Sequence, residues 1–203
     1  MSRSVGVLGG AFNPPHLGHL LLAQEAIHDL GLDELILVPT GVAPHKRIDP
    51  EPGADVRLEM ARLAVEGVDR MSVSDLEVRR EGPSFAFRTL ELLADELPGS
   101  DLTFVMGADV AAGLERWKLP ERVVELARLA IAERPGFDRS AVDAALSRLG
   151  AADRTERVDM PAMGISSSMI RDRVAAGEPI RWLVPDLVAQ LISDRRLYRA
   201  AAS

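Results

Sequence analysis

The chain has no cysteine among its 203 residues. A disulfide framework, a thiolate metal cluster and a thiol nucleophile are therefore excluded. Aromatic residues are scarce, at 4%, so an aromatic side chain set among charged neighbours stands out as a candidate ligand contact. No apolar run approaches the length of a membrane span. The run Ser4-Val5-Gly6-Val7-Leu8 is too short for the apolar region of a signal peptide. The expected location is the cytoplasm, with no membrane partner. Positive charge is not in excess either: the formal net charge is −7, opposite in sign to a general nucleic-acid binder. The pairs Arg79-Arg80 and Arg195-Arg196 read as solvated surface. What remains is an ordinary globular balance, 47% hydrophobic and 27% charged, in a chain long enough to bury a core.

Short apolar runs alternate with amphipathic stretches of helical length. Residues 5–8, 35–38, 102–106 and 129–132 read as buried strands, 71–78 as a strand with an extension, and 158–160 as a last short strand. Helices are expected over 16–30, 56–65, 85–97, from Pro120 to 126, and over 141–149, 167–176 and 185–192. Gly31 suits the residue that ends the first of these. Such alternation predicts an α/β fold, an open parallel sheet with helices on both faces. No repeat or low-complexity linker divides it. A single domain over 1–203 is expected, with a small helical C-terminal subregion at about 161–203.

The informative segment is Gly9-Gly10-Ala11-Phe12-Asn13-Pro14-Pro15-His16-Leu17-Gly18-His19, which leaves the first strand and enters the first helix. Glycines there let backbone approach a phosphate, and a helix start favours negative charge. His16 and His19 are three apart and share one helical face. As donors they suit the charge that builds when pyrophosphate leaves. The segment lacks both the dinucleotide fingerprint and the Walker lysine. No acidic ligand accompanies the histidines, so no protein metal site is assigned. A second segment, Ile165-Ser166-Ser167-Ser168-Met169-Ile170-Arg171, offers helix-capping serines and an arginine suited to phosphate. Taken alone it reads equally well as a capped surface helix.

Together these segments resemble the nucleotidylyltransferase superfamily, whose fold is Rossmann-like. Further segments resemble its bacterial nicotinate-mononucleotide adenylyltransferases: Pro44-His45-Lys46, Gly107-Ala108-Asp109, Trp117, Arg134-Pro135-Gly136-Phe137, and Arg196-Leu197-Tyr198 near the end. The resemblance covers nearly the whole chain. It implies adenylyl transfer from ATP to nicotinate mononucleotide, giving deamido-NAD and pyrophosphate. Mg²⁺ would arrive with ATP. Catalysis would fall to His16, His19 and Arg171, and ATP would meet Gly9, Gly10, Phe12, His16, His19, Ser167, Ser168 and Arg171. The mononucleotide would meet Lys46, Ser84, Phe85, Ala86, Asp109, Trp117 and Arg134. Asp109 would accept from a ribose, and Trp117 would stack on the pyridine ring. The blander readings are a helix cap for Asp109 and core packing for Trp117.

The chain departs from the family's pattern in several places. Ala43 replaces a proline, Ala11 and Asn13 stand where many members carry Thr and Asp, and Ser84-Phe85-Ala86 stands where many have Ser or Thr, Tyr and Thr, that last threonine belonging to the pyridine-carboxylate site. Rival readings are an adenylyltransferase for nicotinamide mononucleotide or another phosphorylated acceptor, and a non-catalytic nucleotide-binding module. The oligomeric state is left open, a homo-oligomer included.

Overall fold

The structure is a computed structural model and describes residues 2–44, 49–133 and 139–200. Its elements run β1 (Ser4–Gly10), α1 (Leu17–Asp29), β2 (Glu34–Pro39), α2 (Ala54–Ala64), β3 (Met71–Val73), α3 (Leu76–Arg79), α4 (Ala86–Glu96) and β4 (Asp101–Gly107). Then follow α5 (Ala108–Ala111), α6 (Pro120–Leu126), β5 (Arg128–Glu133), α7 (Ser140–Arg148), β6 (Thr155–Asp159), α8 (Ser167–Ala175) and α9 (Asp186–Asp194). The strands form one parallel sheet in the order β3-β2-β1-β4-β5-β6. The order reverses between β1 and β4, the arrangement of a doubly wound sheet with a topological switch point.

Both faces of the sheet are covered, which is why its inner strands read as continuous apolar runs. Val5, Val7, Ile36, Val38, Phe104, Met106, Leu129 and Ile131 share one face with Leu90 and Leu93 of α4, Val123 of α6 and Leu146 of α7. Leu8, Leu35, Leu37, Val105 and Ala130 share the other with Ala23, Ala26 and Ile27 of α1. Helix α1 stops where Gly31 takes a φ of +60°. The Gly31 N–H donates to the His28 carbonyl (3.4 Å) and the Leu32 N–H to that of Ile27 (3.1 Å), closing the helix as a Schellman motif. A third apolar cluster joins Met60 and Ala64 of α2 to Ile170 of α8 and to Val188 and Ile192 of α9. Among the described residues no helix is long and apolar enough to cross a membrane.

Two stretches differ from the expectation. Residues 71–78 do not form one extended strand: β3 ends at Val73, and α3 begins at Leu76. The Ser74 hydroxyl accepts from the Leu76 N–H (3.3 Å), a local turn that competes with the ladder. The Asp75 carboxylate then pairs with Arg62 (2.8 Å) and Arg79 (2.7 Å). The last strand covers Thr155–Asp159 rather than 158–160. It lies at the sheet edge and buries only Val158, so its charged residues hide it from an apolar pattern.

Candidate active site

A cavity of about 530 Å³ opens beyond the carboxyl ends of β1 and β4, at the switch point where open α/β sheets place ligands. Gly9 and Gly10 line it from β1, Met106 and Gly107 from β4, and His16, Gly18 and His19 from the start of α1. A Cβ on Gly10 would come within 3.2 Å of the Phe12 ring. That ring is buried on a residue held at φ +47°, so a side chain at Gly10 would have to displace it by a few tenths of an ångström. Phe12 is not itself a lining residue; it meets the His19 ring edge-on at 5.0 Å and supports it from below.

The two histidines form a unit. Their ring centroids lie 3.7 Å apart. His16 is the N-cap of α1 in extended conformation, and its backbone N–H donates to His19 Nδ1 (3.2 Å). In the neutral ring that bond assigns the proton to Nε2, leaving an N–H donor on the far side of His19. Burial first, and the neighbouring His16 second, lower the His19 pKa to about 3. His19 is therefore a neutral donor at physiological pH.

The loop before α1 is held by its carbonyls. Arg57 of α2, fully buried, donates to the carbonyls of Ala11 (3.0 Å), Thr40 (2.6 Å) and Gly41 (3.1 Å) and to the Glu51 carboxylate (3.0 Å). Arg171 of α8 donates to the Asn13 carbonyl (2.8 Å) and to the Ser168 hydroxyl (3.2 Å). The Ser167 hydroxyl donates to the Pro14 carbonyl (2.8 Å). Ser166 is the residue that caps α8, its hydroxyl accepting from the Met169 N–H (3.2 Å). Ser166 and Ile165 line the cavity, whereas Ser167, Ser168 and Arg171 brace the loop beside it. The Asn13 side chain is buried. It accepts from the Tyr198 hydroxyl (2.6 Å) and donates to the Pro50 carbonyl (2.8 Å). A carboxylate in its place could make only the first of these bonds. Burial raises the Tyr198 pKa and keeps it a donor.

A further wall comes from α3, α4 and the segment after α5. Ser84, Phe85, Ala86, Thr89, Glu77, Asp109, Trp117 and Lys118 all line the cavity. Phe85 is the N-cap of α4 and has no side-chain cap bond. The Ser84 hydroxyl accepts from the Gly41 N–H (3.1 Å), and its own N–H donates to the Val42 carbonyl (2.8 Å). Thr89 donates to the buried Glu77 carboxylate (2.5 Å). Gly41 is required here, since a Cβ would lie 2.1 Å from the Glu77 carbonyl oxygen. Asp109 is exposed within the first turn of α5, whose N-cap is Gly107, so the capping role belongs to another residue. Trp117 packs edge-on against Phe104 (5.9 Å), as the blander reading has it, and also lines the cavity. Lys46 and Arg134 lie outside the described residues.

Sequence reading did not single out Arg57, Glu77, Thr89 or Lys118. Arg57 sits in an ordinary amphipathic helix pattern, and only the fold shows that its side chain points inward. Glu77 lay in a stretch read as strand.

A family model described as Cytidylyltransferase-like matches residues 7–173. The chain is 37% identical over 199 residues to a probable nicotinate-nucleotide adenylyltransferase of Rubrobacter xylanophilus, covering 98% of this chain and 93% of that one. It is 34% identical over 198 residues to the nicotinate-nucleotide adenylyltransferase of Bacillus subtilis, covering 98% and 100%. In fold it is similar to Plasmodium falciparum nicotinic acid mononucleotide adenylyltransferase complexed with APC, with a TM-score of 0.77, 19% identity and 97% of each chain covered.

Proposed function

From a chain that belongs to the cytidylyltransferase-like family and, within it, to the nicotinate-nucleotide adenylyltransferases, we infer a transferase that joins ATP and nicotinate mononucleotide in the switch-point cavity. The protein transfers the adenylyl group of ATP to nicotinate mononucleotide, in the biosynthesis of NAD. A 5′-phosphate oxygen of the mononucleotide bonds to the α-phosphorus of ATP. The bond from that phosphorus to the bridging oxygen breaks, and pyrophosphate leaves with the electron pair. No protein nucleophile is needed, because positioning and charge stabilisation carry a phosphoryl-type transfer.

The observation that carries this reading is the histidine pair at the strand-to-helix turn. The Nε2–H of His19 and the His16 ring stand at the start of α1, where anions are favoured, and Gly9 and Gly10 line the cavity beside them. Donors fixed before the reaction lower the barrier most when they face charge that develops in it. Arg171 and Ser167 act on the loop's carbonyls, with Ser166 and Ile165 at the adenylate side. Trp117 and Phe85 supply aromatic surface for the pyridine ring, and Asp109 an acceptor for a ribose. We propose that Mg²⁺ comes with the triphosphate, whose oxygens together with water would hold it and whose charge it would neutralise. We read residues 1–203 as one nucleotidylyltransferase domain, because α8 and α9 share their apolar cluster with α2. The reaction is placed in the cytoplasm, where ATP is available.

The test is a substrate panel of ATP and CTP against nicotinate and nicotinamide mononucleotides, read by pyrophosphate release and by product identity. Deamido-NAD from ATP and the acid is expected to dominate. Preference for CTP or for the amide, or no turnover with any pair, would overturn the assignment.

A further inference from the structure

The chain carries 24 lysines and arginines, and only Lys46 and Lys118 are lysines. Every ion pair among the described residues uses arginine. Lys118 is thus an exception to the protein's own habit. It is also the one ammonium or guanidinium among the described residues that line the cavity. No described carboxylate pairs with it. Its ammonium instead lies 4.6 Å over the centre of the Phe85 ring. Phe85 is the N-cap of α4 and is followed by Ala86, a lining residue with no hydroxyl. A point charge on a flexible stem is thereby held over the start of α4, beside a helix end that carries partial positive charge of its own.

Two features show that this charge is arranged for a ligand rather than for stability. An exposed ammonium over a phenyl ring contributes little, and an arginine would serve that contact at least as well. The other charged groups that line the cavity are carboxylates. Glu77 is engaged by Thr89, and Asp109 projects from the first turn of α5. Among the described lining residues, an anion entering between Phe85, Ala86 and Trp117 therefore meets a full positive charge from Lys118 alone.

We propose that Lys118 sets the choice of acid over amide, its ammonium receiving the ring carboxylate of nicotinate mononucleotide above the start of α4. This rests on the proposed substrate and explains how a site with alanine at position 86 selects an acid. An amide offers one acceptor and no charge, so it gains little from the ammonium. The stacking surface of Trp117 serves both rings equally, and the start of α4 adds a partial charge that favours the acid. Lys118 adds the full charge, and the larger share of the discrimination is thereby assigned to it.

The experiment compares Lys118→Met, Lys118→Gln and Lys118→Arg with the parent. For each, kcat/KM is measured with nicotinate and with nicotinamide mononucleotide at saturating ATP, and circular dichroism checks the fold. Binding of each mononucleotide without ATP is followed by tryptophan fluorescence. The parent's own preference for the acid tests the proposed function; the change in that preference tests Lys118. Lys118→Met and Lys118→Gln are expected to lower kcat/KM for the acid about ten- to a hundredfold, the range for one hydrogen bond to a charged group, with the amide affected far less. Lys118→Arg keeps the charge and is expected to retain most of the preference. Equal losses on both mononucleotides would place the ammonium on their shared phosphate and overturn the proposal. An unchanged ratio in folded Met and Gln variants would overturn it as well.

Discussion

Arg57 offers the sharpest check on how the site is held. Its guanidinium spends four contacts on the carbonyls of Ala11, Thr40 and Gly41 and on Glu51. It thereby ties the loop after β1 to the loop after β2 from beneath. Replacement by methionine keeps much of the stem's volume and removes every donor. A hydrogen bond to a charged group contributes about 1.5–3 kcal/mol. Three lost at once set an upper bound that water reduces, because these carbonyls belong to residues that are only part-buried. The Glu51 carboxylate is 40% exposed, so it is rehydrated rather than stranded. A loss of about 3–5 kcal/mol follows, the scale for breaking a buried charged cluster. For a chain of this size that lowers Tm by about 10 °C. Urea and thermal denaturation measure it directly. Well below the new Tm, kcat is expected to fall more than either KM, and equally with both mononucleotides, because the clamp sets placement and touches no substrate. A stability change under about 1 kcal/mol with parental kinetics would refute the reasoning.

His19→Ala is expected to lower kcat by about 10²–10³-fold, as loss of one preorganised donor does, with the circular dichroism spectrum retained; near-parental turnover would remove His19 from catalysis. Trp117→Ala is expected to raise KM for the mononucleotide well beyond that for ATP, by a stacking contribution of about 1–3 kcal/mol, and equal losses for both would leave only its packing against Phe104. The lowered pKa of His19, about 3, means that the unfolded chain binds the proton more readily than the folded one between about pH 3 and 6.5. The parent's stability relative to His19→Gln is therefore expected to rise with pH across that window, by at most about 1.4 kcal/mol per unit; a flat difference in urea denaturation from pH 4.5 to 6.5 would contradict it.

The fold was legible where burial is complete. Val5, Val7 and Leu8 of β1, or Leu102, Phe104 and Val105 of β4, are buried on both sides of the sheet, so their runs are mostly apolar, with Thr103 the one polar residue, and each ends in Gly. Legibility failed where the pattern is short or charged. Met71, Val73, Leu76 and Val78 fit a strand or a helical turn equally well, and the choice was made by Ser74 and Asp75 through contacts with Leu76, Arg62 and Arg79. In β6, Glu156 pairs with Arg128 and Arg157 with Glu133. An edge strand can carry such charges, and they erased its apolar signal. The site was legible where its residues sit together in the chain, as Gly9 through His19 do. It was illegible where partners are far apart: Arg57 lies 46 residues from Ala11, and Tyr198 lies 185 from Asn13. No local pattern encodes such a bond.

These distant bonds share one electrostatic consequence. The loop that enters α1 must present positive potential to a triphosphate, yet each of its peptide units carries a carbonyl that would repel one. In the structure the carbonyls of Ala11, Asn13 and Pro14 are all taken, by Arg57, Arg171 and Ser167 respectively. Two of these donors carry full positive charge. The loop's negative ends are thus engaged by α2 and α8, and the Nε2–H of His19 is turned to the ligand's side. Arg57 and Arg171 can therefore contribute to anion binding without reaching the cavity, by offsetting dipoles that oppose it. The C-terminal helices are part of the same device. Arg171 and Ser167 stand on α8, whose Ile170 is buried against α2 in the cluster that also anchors α9. Tyr198, beyond α9, closes on Asn13. The final third of the chain, which carries little of the sheet, in this way joins Arg57 of α2 in setting the charge of the first loop.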